Sequence, residues 1–248
     1  NGNCLHGGCG FDYKIWQVAE YDGESITLTY TSKDGEEGFP ANLAVKVTYK
    51  LEGASLLMDY EARPDGKTPI ALTNHAYFNL KGEGNGDILD HVLQLNASEY
   101  LPTSDSLIPV GESEPVAGTP MDFVNEKVIG AEIKADFPAL VYGKGYDNCW
   151  VIDGYEPGQI QEAAELYSPE SGRVLSVYTT QPGVQIYTGN WLAGSPVAKC
   201  GRSYNDYDGV AIECQNFPDA PNKADYPSAV LRPGEVYEQA IIFAFGVK

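Results

Sequence analysis

Gly172-Arg173-Val174-Leu175-Ser176-Val177-Tyr178-Thr179-Thr180-Gln181-Pro182-Gly183-Val184-Gln185-Ile186-Tyr187-Thr188 holds two short strand-like runs, Gly172–Thr180 and Gly183–Thr188, broken at Gln181-Pro182. Just upstream, Ala163–Tyr167 and the turn-forming Ser168-Pro169-Glu170-Ser171-Gly172 complete a hairpin with a longer loop. Runs of the same kind recur outward along the chain at Ser25–Thr31, Leu43–Leu51, Ser55–Glu61, Val92–Asn96, Val210–Cys214 and Val236–Phe245. Turn clusters such as Ser32-Lys33-Asp34-Gly35 and Pro64-Asp65-Gly66 separate them. Gly (27), Pro (16) and Tyr (17) are frequent against only 2 Met, which favours turns and pleated surfaces over long helices. This spacing predicts an all-β fold, a large antiparallel β-sandwich. One short helix is expected around Val124–Ala135. No internal repeat or composition shift marks a boundary, so residues 1–248 are read as one domain, a length such sandwiches reach.

Lys and Arg number 16 against 35 Asp and Glu, a net charge of −19. Such a surface repels phosphate backbones and anionic headgroups, so neither nucleic acid nor a membrane is expected as a partner. An anionic substrate is disfavoured more weakly. No run of 18 apolar residues occurs, so no transmembrane helix is expected. The chain opens Asn1-Gly2-Asn3 rather than with Met and shows no signal peptide, so the start reads as cut. Cys4, Cys9, Cys149, Cys200 and Cys214 are odd in number and lack zinc-site spacing, leaving at least one thiol unpaired within the chain. Cys149 and Cys214 are expected to be free and buried, and Cys4 and Cys9 are close enough in sequence to bridge. The sequon Asn96-Ala97-Ser98 has meaning only in a secreted protein, and the compartment stays open.

Three histidines are present: His6, His75 and His91. Nucleophile-elbow, zincin, EF-hand and phosphate-loop motifs are absent, which leaves acid–base chemistry by histidine and carboxylate. In Thr73-Asn74-His75-Ala76-Tyr77-Phe78-Asn79-Leu80, an extended chain puts His75, Tyr77 and Asn79 on one face. That face is either a reactive surface or a histidine satisfied by a backbone carbonyl. His91, beside Asp90, reads as a surface residue. In Val210-Ala211-Ile212-Glu213-Cys214-Gln215, Glu213 points away from the apolar face. It is either a solvent-facing carboxylate on an edge or the floor of a polar groove. Polar clusters at Asn3-Cys4-Leu5-His6-Gly7-Gly8 and Gly145-Tyr146-Asp147-Asn148-Cys149-Trp150 interrupt strand-like sequence, and their Tyr and Trp suit the C–H faces of a sugar.

Taken together and in order, these segments resemble the aldose 1-epimerase (galactose mutarotase) family. They are N-x-x-H-G-G from Asn3, N-H-x-Y-F-N-L from Asn74, Gly145-Tyr146-Asp147, T-T-Q-P-G-V-Q-x-Y-T-G-N from Thr179 and E-x-Q-x-x-P-D-A-x-N from Glu213. The resemblance runs down to Leu231-Arg232-Pro233-Gly234-Glu235-Val236-Tyr237. It implies a β-supersandwich that interconverts the anomers of free aldoses such as galactose and glucose, with no metal or organic cofactor. It implies His75 as general acid, Glu213 as general base, and His6 and Asp147 as substrate-orienting residues. Tyr77, Gln181 and Asn190 lie in matching motifs and are the further candidates for sugar contact. Family members extend upstream of the H-G-G segment and carry there an Asn-Arg pair whose Arg holds the sugar. That Arg is not in this sequence: either a separate N-terminal segment is an expected partner, or the chain is a truncated form that is expected to be much slower or inactive alone. The family resemblance implies a cytoplasmic protein.

His6, His75, Asp147 and Glu213 are expected on one concave face, with acid and base on either side of a sugar-sized gap. A neighbouring carboxylate and the acidic surface are expected to favour the protonated imidazole of His75. Three other functions compete: a non-catalytic carbohydrate-binding module, a structural or assembly protein pairing open sheet edges, and an epimerase of hexose 6-phosphates. The last needs a basic pocket that the charge disfavours. Preferred sugar and oligomeric state are not legible.

Overall fold

The computed structural model describes residues 2–248. Two antiparallel sheets face each other across an apolar core. The larger has nine strands, in the spatial order Gln17–Tyr21, Ser25–Ser32, Leu43–Glu52, Ser55–Pro64, Tyr237–Val247, Arg173–Thr179, Gln161–Tyr167, Val92–Leu95 and Lys127–Val128. The smaller has six, in the order Tyr77–Phe78, Val210–Gln215, Gly183–Tyr187, Asp147–Val151, Glu99–Tyr100 and Glu114–Pro115. The hairpin Gln161–Tyr167/Arg173–Thr179 forms as the sequence predicts.

Alternation builds the core from both sides. Val45, Val47, Met58, Tyr60, Ile241 and Phe243 point inward from the large sheet, and Trp150, Val184, Ile186, Ile212 and Cys214 from the small one. Phe78 meets Phe243 edge-to-face at 5.0 Å, a pairing worth about 1 kcal/mol beyond burial.

The helix expected at Val124–Ala135 does not form. Lys127–Val128 pairs instead with Val92–Leu93, and the amides of Ile129 and Gly130 bond to the carbonyls of His91 and Leu89. A 3-10 turn covers Ile129–Ala131, and the α-helix of this region is Pro138–Gly143. Tertiary partners for the backbone decide the conformation of this segment. Gly130 is also pressed against its neighbour: a Cβ there would lie 2.7 Å from the Leu89 carbonyl oxygen.

Candidate active site

The register of the small sheet sets out rows of side chains. Asp147, Tyr187, Ala211 and Tyr77 lie opposite one another, and the next row is Cys149, Gln185 and Glu213. Opposed residues share a face, as do alternate residues along a strand. One face therefore carries Asp147, Tyr187, Tyr77, Gln185 and Glu213 together, away from the core. Glu213 is only 6 % exposed, so it forms a groove floor rather than a solvent-facing edge. Leu101, Cys149 and Phe217 close one end of this face as a small apolar cluster. Gly183 makes room for it: a Cβ there would meet Cys149 Sγ at 2.7 Å and Phe217 at 3.0 Å.

His75 arrives from an irregular segment, since only Tyr77–Phe78 pairs with the sheet, through Ala211 and Val210. The Thr73 hydroxyl donates to the Cys214 carbonyl at 2.8 Å, which ties this segment beside Glu213. His75 Nε2 then lies 3.5 Å from Glu213 Oε1. The His75 ring sits 5.1 Å from Tyr77, 6.4 Å from Tyr187 and 5.2 Å, edge-on, from His6. His6 stands on a left-handed turn, with positive φ at His6, Gly7 and Gly8. The loop bearing it is moored where Phe11 and Trp16 pack on Tyr30, and Trp16 Nε1 donates to the Phe11 carbonyl at 2.9 Å. Asp147 accepts from Gln185 Nε2 at 2.8 Å. His6, His75, Asp147 and Glu213 thus converge from four distant segments. His75 and Glu213 face each other directly at 3.5 Å instead of standing on either side of an open gap.

Electrostatics follow from burial and from the pairing of carboxyls. Burial, reinforced by the charge of Asp147, pushes Glu213 up to about 8. Burial also raises Asp147, against the Gln185 hydrogen bond and the charge of His6. His75 is held below the usual imidazole value, mainly by burial and further by His6. This reverses the expectation that a neighbouring carboxylate would favour the imidazolium. A carboxyl that is itself held in its neutral form supplies little charge to a neighbour.

Two expected contact residues stand elsewhere. Asn190 is fully buried; its amide donates to the carbonyls of Gly143 (2.8 Å) and Tyr146 (3.0 Å) and its oxygen accepts from Thr188. It shapes the turn before Asp147, and Gly145 is needed there because a Cβ would sit 2.5 Å from Asn190 Oδ1. Gln181 is likewise buried, donating to the Tyr237 hydroxyl at 2.9 Å and towards the Leu72 carbonyl. Tyr146 and Trp150 are core residues packed on Phe123, so the ring surface offered to a ligand is that of Tyr77, 45 % exposed, and Tyr187. His91 is fully buried rather than at the surface, because its ring fills the space behind Leu80 and bonds to the Leu80 amide. All five cysteines are free, with Cys149 and Cys214 buried; Cys4 and Cys9 are exposed and do not bridge. Gln185 and Tyr187 were not singled out from the sequence, although the period-two pattern of Gly183–Thr188 points both to the face of Glu213. A separate depression at Thr119, Asp122, Glu126 and Glu132 surrounds Lys127, whose ammonium is already held by Glu132 and the Pro120 carbonyl.

Comparison with known proteins bears on the chain as a whole. The family model described as aldose 1-epimerase matches residues 1–244. Human galactose mutarotase is 42 % identical over 246 residues, covering 99 % of this chain and 70 % of its own length. The aldose 1-epimerase of Escherichia coli K12 is 38 % identical over 247 residues, with 98 % and 70 % covered. Among solved structures, a GalM/aldose epimerase homologue from C. elegans superposes with a TM-score of 0.86 at 28 % identity, covering 98 % of this chain and 72 % of that one. Galactose 1-epimerase from Lactobacillus acidophilus NCFM gives 0.83 at 29 % identity, covering 98 % and 70 %. Sequence along nearly the whole chain and a shared sandwich agree, and this chain belongs to the aldose 1-epimerase family.

Proposed function

We propose that this chain is an isomerase that interconverts the α and β anomers of free hexoses, galactose and glucose, by acid–base opening of the pyranose ring. The observation that carries this is the 3.5 Å contact of His75 Nε2 with Glu213 Oε1 on a polar sheet face shared with Asp147 and Gln185. Relatives named galactose mutarotase and aldose 1-epimerase support it.

Glu213 carboxylate takes the proton of the C1 hydroxyl while the C1–O5 bond breaks and C1 becomes a carbonyl. O5 takes the proton of the His75 imidazolium, leaving neutral imidazole and an open aldehyde. Rotation about C1–C2 presents the other carbonyl face. O5 then attacks C1 and returns its proton to His75, and the new C1 oxygen takes its proton from Glu213. The two side chains need one proton between them. Neutral Glu213 with neutral His75 holds the same number of protons as carboxylate with imidazolium, so the resting pair already has the working proton count. A sugar hydroxyl donating to Glu213 favours the carboxylate and moves that proton to His75. Asp147 and His6 orient the ring hydroxyls, and Tyr77 offers a face to its C–H bonds.

Polarimetry of freshly dissolved α-D-galactose, with the spontaneous rate subtracted, tests this. Native material that carries the upstream segment is expected to accelerate mutarotation, this chain alone to be much slower, and Glu213→Gln to abolish most of the acceleration. Native material with that segment that binds galactose without accelerating the change would be a carbohydrate-binding protein instead.

A further inference from the structure

His91 lies outside the groove, and its side-chain bonds run towards the segment that carries His75. That segment ends at Leu80, where it leaves the small sheet. The Leu80 amide donates to His91 Nε2 at 3.0 Å. The Leu80 carbonyl accepts from Ser171 Oγ at 2.8 Å and Arg173 Nη1 at 2.9 Å, both from the hairpin of the large sheet. One residue earlier, the Asn79 amide donates to the carbonyls of Gly86 and Asp208. To accept from an amide, Nε2 must carry no proton, so the ring proton resides on Nδ1. There it faces Asp90 Oδ1 at 3.1 Å, which also accepts from Lys81 Nζ at 2.9 Å. The His91 backbone is itself fixed, donating to Ile88 and accepting from Ile129.

We propose that His91 is a positioning residue for His75: as the neutral Nδ1–H tautomer, held between Asp90 and the Leu80 amide, it fixes the end of the segment that sets His75 against Glu213. Regular pairing holds that segment at Tyr77 and Phe78 alone, so its ends decide where the His75 ring stands. At one end the Thr73 hydroxyl grips the Cys214 carbonyl; at the other the Leu80 amide is gripped by His91. A misplacement of about 1 Å at reacting groups can cost about 10²-fold in rate.

The kinetic readout rests on the mutarotase function proposed above; the spectroscopic one does not. His91→Leu removes the acceptor at similar volume, whereas His91→Gln can present an amide oxygen to Leu80. His91→Leu is expected to lower kcat about tenfold or more with KM within about twofold, and His91→Gln to recover most of the loss. NMR should find His91 as the Nδ1–H tautomer in the wild-type chain. It should also find the His75 ring signals shifted and Leu80 amide exchange accelerated in His91→Leu, but not in His91→Gln. Native material that carries the upstream segment but has no mutarotase activity would sink the proposed function, and His91 would still be decided by these signals. Unmoved His75 signals in His91→Leu, or equal losses in both variants, would overturn the inference. If His91→Leu fails to fold, an Nε2–H tautomer in the wild-type chain would do so as well.

Discussion

The groove face of the small sheet and the framework around it are both rich in buried polar side chains, but they treat them oppositely. In the framework the large amide and imidazole groups of Asn190, Gln181 and His91 are answered, and the atoms left without a partner, Thr103 Oγ1, Asn148 Oδ1 and Gln161 Nε2, are scattered singly. Asn190 uses both ends of its amide, Gln181 meets Tyr237, and His91 is bonded at both nitrogens. On the groove face the answers are missing: His75 Nδ1 and Gln185 Oε1 are buried without a hydrogen-bond partner, and Glu213 finds only His75 at 3.5 Å. An unanswered buried group costs roughly 1–3 kcal/mol, and a fold tolerates several together where a ligand supplies the partners. Polar burial alone therefore does not mark a site. Unanswered groups gathered around a buried carboxyl do.

That contrast is open to attack, most strongly at the pair itself. Glu213→Gln and His75→Asn should each lower the mutarotation rate of α-D-galactose by about 10²–10⁴-fold with little change in KM, measured by polarimetry. A loss below threefold in either would put the chemistry elsewhere. Asp147→Asn should cost about 10–10²-fold in kcat/KM and raise KM as well as lower kcat, because an orienting group acts in both ground and transition states.

The pH profile sharpens the comparison further. In the proposed mechanism the pair of His75 and Glu213 holds one proton, and Glu213 is pushed up to about 8 while His75 is lowered. Activity should therefore fall above pH 8, by about tenfold per unit, as the pair loses its proton. On the acid side it should fall only below the usual imidazole range, where His75 gains a second proton. A profile rising steadily through pH 9 would contradict the shared proton.

The smallest effects concern stability, and their signs should differ between the two regions. The folded chain keeps a proton on Glu213 that the unfolded chain has released above the ordinary value of 4.5, so Glu213 erodes stability as pH rises from 4.5 through 8. Glu213→Gln should then stabilise the fold above pH 8 by roughly 2 kcal/mol, while Gln181→Leu should destabilise it by about 1–3 kcal/mol at any pH. Thermal melts at pH 6 and 9 separate the two.

Much of this was legible in the residues. Period-two patterning located the main strands and turned Glu213 away from the core, whereas its pairing with His75 came from the family resemblance alone. The motif from Thr179 to Asn190 shows where that reading ends. Gln185 and Asn190 look alike as symbols, but Gln185 lies inside a paired strand opposite Glu213, while Asn190 lies past the strand end and folds back under Gly143 and Tyr146. Only the position of the last paired residue, Tyr187, separates a groove residue from a buttress. The burial of His91 is hidden from the sequence for a similar reason, since its partner is a backbone amide that no side-chain pattern displays.

The strand Tyr237–Val247 lies in the middle of the nine-stranded sheet, between Ser55–Pro64 and Arg173–Thr179. It is also the last of those strands in sequence. During synthesis, therefore, the sheet exists as two unjoined halves, each with a bare edge where its missing neighbour belongs. Exposed edges of this kind invite pairing with other chains. Closure awaits the emergence of Tyr237–Val247 from the ribosome, and the window before it is when a chaperone has most to shield.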